Sequence, residues 1–509
     1  MKLRNLFFKI LLDMFKKSLI KKDSVYIGGG YSQSQLIWLI PLVHGYCHEK
    51  SIKNIIFEKK LSSTIFENRQ INIILAKYNT QILKNKLIYR NFGFLFLFLF
   101  KNIINIIFYS LTVNRQQLLR KELSWFKIQI LHGIWDTSFL YLKDGDLFPD
   151  FISRIKAAFR VYLNIFCALL LKKYNTDAAF ITHCVYGHRG LVASLREDNI
   201  KIINCDANCT VFVQPRKKDL NWNIPNKEII KSFFNKNHYR LAKNYWNKRI
   251  FGLGNYEDAQ IAIQGKILRK KIYPNVIMMH IFRDSPFNLI DRSRIFSDYI
   301  DWIYNTLIIL KDSDEQWLIR GHPNFKRWGE NSKITFDRIY NEVFRENKNK
   351  NINFSLEKIS NIDLLSSAKR LVTFSGTSHL EFACMGRKPI VVSTCTLDSF
   401  DKDSVLKPTN LNEYKKFLLD SPYSDYFKLD DNKKNNAKLL LYLRENILNF
   451  RKELRCSSVY RNDKKKYINK NYKNISKHLS ENINYLDLLG KKLANNFLNV
   501  VCKKFINFI

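Results

Sequence analysis

Three hydroxyl side chains flank a glycine in the segment Ser375-Gly376-Thr377-Ser378, directly after the apolar run RLVTF. The run predicts a strand, and the residues that follow predict a helix that opens at Thr377. The first N–H groups of a helix lack partners within it, and the positive end of the helix dipole attracts anions. A helix N-cap needs one hydroxyl, whereas this segment supplies three, and Gly376 between them lets a ligand approach the backbone. The pattern predicts a phosphate-binding turn.

Glu381 has two interpretations that the sequence leaves open. It could accept hydrogen bonds from a ribose next to the phosphate-binding turn. It could instead form a capping box with Ser378, because the two residues have the S-x-x-E spacing. In the second case these residues would start a helix without binding a ligand.

A second group of polar residues, Arg320-Gly321-His322-Pro323, follows the strand-like run QWLI. A guanidinium and an imidazole on a short loop fixed by Pro323 can both donate to phosphate oxygens. Carboxyl ends of parallel strands meet at one edge of a sheet, so we predict that Arg320, His322 and Pro323 lie near the phosphate-binding turn. A surface turn is the alternative.

A glycine-rich turn stands near the start of the chain, where Gly28-Gly29-Gly30 and Ser32 follow the run SVYI. It resembles the first turn of a nucleotide-binding fold, but it does not fit G-x-G-x-x-G and no acidic residue marks a dinucleotide ribose. We predict that Gly29, Gly30 and Ser32 line a ligand cleft.

These residues need parallel sheets to bring them together, and the sequence predicts two. Strand-length apolar runs alternate with helical stretches, first in SVYIGGG, KNIIFEK, FKIQILHGIWD, DAAFITHC and IKIINCD, then in VIMMHIF, QWLIRGHP, INFS, RLVTFS and KPIVVS. Such alternation is typical of sheets covered on both faces. The predicted fold class is α/β, with two doubly wound Rossmann-like domains facing a cleft. The predicted ranges are a basic amphipathic helix at 1–22, domains at 23–265 and 266–431, and a Lys/Asn-rich helical extension at 432–509.

The chain has 84 Lys and Arg against 45 Asp and Glu among 509 residues, a formal net charge of +39. This surplus favours anionic partners, namely nucleic acid, anionic lipid or phosphate-bearing substrates. Because the basic residues are spread over the whole length, we do not expect nucleic acid. Nine cysteines without a C-x-x-C pair favour a reducing, cytoplasmic location.

Three segments bear on membrane contact. The basic N-terminal segment and the apolar, lysine-flanked C-terminal segment could lie on the anionic inner face of the cytoplasmic membrane, or they could pack on the domains. The run FLFLFLF is interrupted by Lys101 and falls short of the ~20 apolar residues that span a bilayer. We predict that it is buried or seeks an interface.

From about residue 120 to 400, the motif order resembles bacterial capsule polysaccharide biosynthesis proteins, which are glycosyltransferases of the GT-B architecture. The most specific part is S-G-T-S-x-x-E-x-x-x-x-G-R-K-P after His-Pro, a short strand and D-L-L. MMHIFRDSP is similar to the H-x-F-x-D-x-P segment of that family, with His280, Asp284 and Pro286. Weaker matches are Gly133 to Thr137, where Trp135 replaces the family's tyrosine, and His183 to Tyr186 before Gly190, where the expected arginine is absent.

The resemblance implies transfer of a sugar from a nucleotide-activated donor to a lipid-linked or polysaccharide acceptor. We expect an inverting reaction without metal or cofactor, and a CMP-linked acidic sugar is one candidate donor. Such a reaction needs a general base for the acceptor hydroxyl. Asp136 is the first choice and His183 the second, because each ends a predicted strand of the first domain. Their alternatives are a helix N-cap and a buried histidine, and Asp284 could orient the nucleotide or stabilise the domain junction.

Two other functions remain open from the sequence. The first is a polyol-phosphate transferase of the teichoic-acid type, which would use a CDP-polyol. The second is a basic peripheral protein that binds membrane or nucleic acid through its lysine-rich ends and catalyses nothing. Asp144-Gly145-Asp146 matches the D-x-D of metal-dependent transferases, but it falls in a predicted loop, and we do not assign a metal site.

Overall fold

The structure is a computed structural model, and the residues it describes are 23–28, 43, 46–47, 50–58, 79–83, 92–120, 122–172, 174–181, 184–198, 200–205, 211–214, 231, 234–250, 273–284, 295–323, 325–345, 349–357, 360–420 and 425–447. Their contacts define two compact units. The described part of the first unit falls within 1–106 and 159–218, and that of the second within 107–158 and 219–460.

The first unit contains a sheet of six strands: β1 (Ser24–Gly28), β2 (Asn54–Glu58), β3 (Asn79–Leu83), β4 (Thr176–Ile181), β5 (Lys201–Cys205) and β6 (Val211–Gln214). The order is β3-β2-β1-β4-β5-β6. β5 and β6 are antiparallel, and the other neighbours are parallel. β1 is buried along its whole length, as expected for the central strand of a sheet covered on both faces.

The second unit contains a sheet of five parallel strands: β7 (Asn275–Met278), β8 (Trp317–Arg320), β9 (Ile352–Ser355), β10 (Arg370–Thr373) and β11 (Ile390–Val391). The order is β11-β10-β7-β8-β9. In both sheets the chain starts at the centre, moves to one edge, and then returns to the other side of the first strand. This doubly wound topology confirms the predicted α/β class.

The described helices are α1 (Phe92–Thr112), α2 (Arg115–Leu118), α3 (Trp125–Phe139), α4 (Phe151–Lys172), α5 (His188–Glu197), α6 (Lys236–Ile250), α7 (Tyr299–Leu310), α8 (Ser332–Phe344), α9 (Asn361–Ser367), α10 (Ser378–Cys384), α11 (Thr396–Phe400), α12 (Leu411–Leu419) and α13 (Asp431–Tyr442). Short 3-10 helices are Phe325–Trp328, Lys402–Ser404 and Asp425–Phe427, and a π-helical turn is Leu443–Ile447. The core of the second unit includes Trp302, whose indole N–H donates to the Tyr414 hydroxyl at 2.9 Å.

Two predictions about secondary structure are wrong. The segment FKIQILHGIWD is part of helix α3 and not a strand, and its N-cap Ser124 accepts a hydrogen bond from the backbone N–H of Lys127 at 3.3 Å. α3 is buried all along 128–139, so no apolar stripe distinguishes it from a strand in the sequence. The second error concerns the length of the apolar segment at FLFLFLF, because α1 continues past Lys101 to Thr112, and Gly93–Thr112 is long and apolar enough to span a bilayer by length and composition.

The contacts group residues 107–158 with the second sheet, whereas the predicted N-terminal domain extends from 23 to 265. The predicted domain ranges and the cleft stay predictions. The predicted N-terminal helix at 1–22 lies outside the described residues, as does the part of the predicted C-terminal extension beyond Ile447.

Candidate functional site

Polar residues follow three neighbouring strands of the second sheet and lie in one row at the carboxyl edge of that sheet. In the register of the sheet, Met278 of β7 pairs with Arg320 of β8 and with Thr373 of β10. His280, His322 and Ser375 each lie two residues beyond these paired positions. The winding direction reverses between β7 and β10, and ligands of doubly wound sheets bind at that reversal.

Aromatic contacts hold the two imidazoles of this row. The His280 ring stacks on Tyr299, the first residue of α7, with centroids 5.1 Å apart, and lies 4.9 Å from the His322 ring. Tyr299 in turn makes an edge contact of 5.0 Å with Phe374, next to Ser375. His280 and the phosphate-binding turn are therefore linked through packed rings.

His280 also has a carboxylate neighbour, Asp284, four residues further along the chain. The Nδ1 atom of His280 lies 3.2 Å from Oδ2 of Asp284, within ion-pair distance but without the angle of a hydrogen bond. The His280 side chain is 33% exposed, and that of Asp284 is 12% exposed. A partly open imidazole beside a carboxylate is an arrangement typical of general bases.

The surroundings bias the protonation of two ring side chains. Burial lowers the pKa of His322 well below its usual range, and the charges of His280 and Arg320 lower it further, so His322 is neutral near pH 7. Burial also raises the pKa of Tyr299, and the charges of Asp284 and Asp136 add to this rise. These two carboxylates therefore lie near the Tyr299 phenol.

The structure corrects the position of Asp136. This residue does not end a strand of the first domain, because it lies in α3 within the second unit. The adjacent Trp135 donates its indole N–H to Oδ2 of Asp298, the N-cap of α7, at 3.2 Å, and Arg115 donates to both oxygens of Asp298 at 2.8 and 3.0 Å. Asp136 thus comes close to the row of polar residues, but it is only 2% exposed.

The Ser-Gly-Thr turn lies at the start of α10. Thr377 is the N-cap and makes no side-chain cap bond, so the capping box of Ser378 and Glu381, one of the two alternatives for Glu381, does not form. Ser375, Gly376 and Thr377 are half-buried, whereas Ser378 is buried. Gly376 has no positive φ, and a Cβ built there would lie no closer than 3.4 Å to another atom. The protein's own packing therefore does not require a glycine at this position.

We expect Gly376→Ala to weaken donor binding while the free energy of unfolding changes by less than about 1 kcal/mol. The added methyl group would meet a ligand but fits the protein. Donor affinity by calorimetry and urea-induced unfolding measure the two effects. Gly386→Ala is the matched control, because Gly386 has φ +87° and should lose stability. Unchanged donor affinity in Gly376→Ala would contradict a ligand at this turn.

The carboxylate of Glu381 belongs to a buried network of hydrogen bonds. Its Oε1 accepts hydrogen bonds from Arg249 at 2.6 and 3.1 Å, and its Oε2 accepts one from Asn361 at 3.3 Å. Arg249 also donates to Glu445 at 2.7 Å, and the Tyr245 hydroxyl donates to the same oxygen of Glu445. Since both oxygens of Glu381 have protein partners, its carboxylate holds α10 in place.

Arg320 is attached to this network through Asn361, to which its guanidinium donates. The Arg320 side chain is buried, and burial lowers its pKa to about 10, although the negative charge of Glu381 acts in the other direction and raises it. A Cβ on the adjacent Gly321 would lie 2.4 Å from Cδ2 of Leu356, so a larger residue there would require that side chain to move. His322 and Pro323 follow as half-buried residues at the sheet edge. Arg320 therefore anchors the loop that presents His322.

The segment Gly386-Arg387-Lys388 has structural contacts of its own. Gly386 has φ +87°, a conformation that favours glycine. Arg387 donates to the carbonyl of Ala368 at the end of α9, and the ammonium of Lys388 lies 5.1 Å from the Tyr426 ring centroid. These contacts fix the chain between α10 and β11.

Four predicted site residues, Gly29, Gly30, Ser32 and His183, lie outside the described residues. Within the described part of the chain, no group of three or more His, Cys, Asp or Glu side chains could hold a metal ion. Asp144 of the D-x-D match pairs with Arg283 and accepts a hydrogen bond from the Asn331 backbone at 3.0 Å.

No protein-family model and no curated protein matches this chain. Among solved structures it is similar to the β-Kdo 2,4-transferase KpsC of Thermosulfurimonas dismutans (TM-score 0.31, 11% identity, 52% of this chain and 79% of that one). It is also similar to UDP-GlcNAc 2-epimerase of Methanocaldococcus jannaschii (TM-score 0.29, 11% identity, covering 83% of this chain and 99% of that one). A third similar structure is a glycosyltransferase of Rickettsia africae (TM-score 0.29, 11% identity, covering 86% of this chain and 97% of that one). Because these scores and identities are low, the functional proposal rests on the site itself.

Proposed function

We propose that the protein is a glycosyltransferase that moves a sugar from a nucleotide-activated donor to a capsular or other surface polysaccharide acceptor. One observation carries this proposal: His280, His322 and Ser375 form a row at the point where the second sheet reverses its winding direction. A nucleotide diphosphate or monophosphate bound there would meet hydroxyl donors, a glycine without a packing role and a neutral imidazole.

The donor half of the reaction is assigned to the Ser-Gly-Thr turn and His322. Ser375 and Thr377 offer hydroxyl donors to phosphate oxygens, and neutral His322 offers one ring N–H. Arg320 and Glu381 act through other residues, because both are buried in the network that positions the loop and α10. The donor nucleotide leaves with the phosphate charge stabilised by these groups.

We assign the general base to His280 in place of Asp136. The base must reach the acceptor hydroxyl, and His280 is partly exposed whereas Asp136 is 2% exposed. The acceptor oxygen would attack the anomeric carbon as His280 takes its proton, with Asp284 stabilising the imidazolium that forms. Inversion at the anomeric carbon stays a prediction from the sequence, because the positions of the acceptor and the donor sugar decide it. His183 stays a prediction as an alternative base.

The finer features of the proposal come from the sequence. They are a CMP-linked acidic sugar as one candidate donor, a lipid-linked or polysaccharide acceptor, catalysis without metal or cofactor, and action at the cytoplasmic face of the membrane. Nucleic acid is not proposed as a partner. The donor panel below tests the first of these features.

We expect His322→Ala and Ser375→Ala to abolish detectable donor binding, because each removes a donor to the phosphate. Calorimetric titration with the preferred nucleotide sugar measures the loss, and circular dichroism checks that the fold persists. Ser366→Ala is a matched control, since its exposed hydroxyl donates only to Asp363 of its own helix, at 2.8 Å. Retained nucleotide affinity in both site variants would refute the site.

Released nucleotide from a panel of UDP-sugars, CMP-Kdo and CDP-glycerol tests the reaction type. Turnover of a nucleotide sugar supports the proposal. Turnover with CDP-glycerol alone would replace sugar transfer by polyol-phosphate transfer. Salt-sensitive binding to membranes or nucleic acid that survives the site substitutions, without turnover of any donor, would favour the non-catalytic alternative.

A further inference from the structure

Helix α1 carries a continuous stripe of large apolar side chains that face away from the protein. Seven of them are between 42% and 66% exposed and follow one another at helical spacing: Phe96, Phe100, Ile103, Ile104, Ile107, Phe108 and Leu111. The rings of Phe96 and Phe100 stack on each other with centroids 6.4 Å apart. An apolar surface of this length on one helix is typical of an interaction site.

The opposite face of α1 is packed against the protein. Leu95, Phe98 and Ile106 are buried, and the Phe98 ring lies 5.5 Å from Phe166 and 6.4 Å from Tyr162 of α4. By length and composition, Gly93–Thr112 could cross a membrane. Because one face of the helix is fixed to the protein core, only the other face is available to a partner.

Helix α1 and the helix on which it packs carry basic residues and no acidic ones. Lys101, Asn105 and Thr112 share one side of α1 and form a polar edge beside the apolar stripe, and α1 contains no acidic residue. α4, on which α1 packs, has four basic residues and no acidic one. The whole chain carries a net charge of +39. An apolar face beside basic residues complements a surface that is apolar inside and anionic outside.

We propose that α1 is a membrane-docking helix that lies in the plane of an anionic bilayer, with its apolar stripe between the lipid headgroups and acyl chains. In this position the phenylalanine and isoleucine side chains leave water while the buried face stays on the protein. The inference does not depend on the proposed sugar transfer. The sequence-based prediction placed membrane contact at the two ends of the chain, and it left open whether FLFLFLF, which is part of α1, is buried or seeks an interface.

The direct test is sedimentation of the full chain with vesicles of phosphatidylcholine, with or without phosphatidylglycerol. We expect binding that increases with phosphatidylglycerol. The triple variant Phe96→Ser, Phe100→Ser, Phe108→Ser should lower the partition coefficient about 100-fold, because three phenyl rings no longer enter the bilayer. Leu411→Ser with Leu419→Ser is the control, since these leucines of α12 are also exposed, by 46% and 43%, and binding should be unchanged. Equal binding of the triple variant and the wild type would overturn the proposal.

Lys101→Glu tests the charge separately from the apolar contact. It should weaken binding to phosphatidylglycerol vesicles about fivefold or more, because a basic residue near an anionic surface contributes roughly this factor. Binding to pure phosphatidylcholine should not change. An equal effect on both kinds of vesicle would contradict docking on an anionic surface.

Two other occupants of the stripe give distinct results. If a second copy covers it, the wild type will be a dimer without vesicles and the triple variant a monomer in sedimentation velocity. If another part of this chain covers it, the triple variant will unfold at lower urea concentration. Either result would overturn the proposal. Release of nucleotide with a water-soluble acceptor should be the same in the triple variant and the wild type, so a failure of docking is distinguishable from a failure of sugar transfer.

Discussion

Replacing His280 by glutamine is expected to lower the rate of sugar transfer about 100- to 10,000-fold, the usual contribution of a general base. Glutamine keeps a polar group of similar length, but it cannot take a proton from the acceptor. Donor affinity should change less than about threefold, because the donor is held by His322 and the Ser-Gly-Thr turn. Single-turnover kinetics with the preferred donor and acceptor, together with calorimetry, separate the two effects.

Two further variants sharpen this test. Asp284→Asn should lower the rate less, by about tenfold, since Asp284 only positions and stabilises the imidazole. His238→Gln is the matched control, because His238 is a half-buried histidine of α6 that forms a hydrogen bond with Asn235. An undiminished rate in His280→Gln would exclude His280 as the base and would leave Asp136 and His183 as the candidate bases.

Replacing Arg249 by methionine is expected to lower the free energy of unfolding by about 3–5 kcal/mol, the usual effect of breaking a buried ion pair. Methionine fills much of the space but leaves Glu381 and Glu445 buried without their cation. Burial already raises the pKa of Glu445 above its usual range, although the positive charge of Arg249 lowers it. Because the pKa of Glu445 is raised in the folded protein, the loss should shrink as the pH falls and protonation neutralises this carboxyl group.

Urea-induced unfolding followed by tryptophan fluorescence measures this effect, because every tryptophan except Trp38 falls within the ranges of the second unit. Lys333→Met is the matched control, since Lys333 and Asp337 form an exposed ion pair at 2.7 Å. Its removal should change the free energy of unfolding by less than about 1 kcal/mol. A similarly small change in Arg249→Met would show that the buried network does not support the second unit.

The sequence predicted the strands of the second sheet because buried parallel strands appear as short apolar runs. QWLIRGHP and RLVTFS each contain such a run and end in polar residues, and β8 and β10 lie within them. The strand order then follows from doubly wound topology. The row of His280, His322 and Ser375 could be anticipated in the same way, since a histidine or serine two residues beyond a strand is visible in the sequence.

Other features depended on contacts that the sequence does not display. The apolar and polar residues of FKIQI in α3 alternate as they do in a strand. A helix that is buried on all sides needs no polar face, so the sequence shows no helical pattern there. Glu381 looked like a cap or a ribose ligand, but its partner Arg249 lies 132 residues away. One signal of the pair formed by His280 and Asp284 is visible in the sequence: Asp284 stands four residues after a histidine that follows a predicted strand.

The second unit is assembled from two separate stretches of chain, with residues 107–158 joining 219–460. Asp298, which caps α7 beneath the stacked His280 and Tyr299 rings, is held by Arg115 and Trp135 from the earlier stretch. A fragment that begins after the first unit would lack both partners. Grafting the proposed donor site into another enzyme would therefore require both stretches, either as two separate gene segments or as one longer segment that also carries residues 159–218.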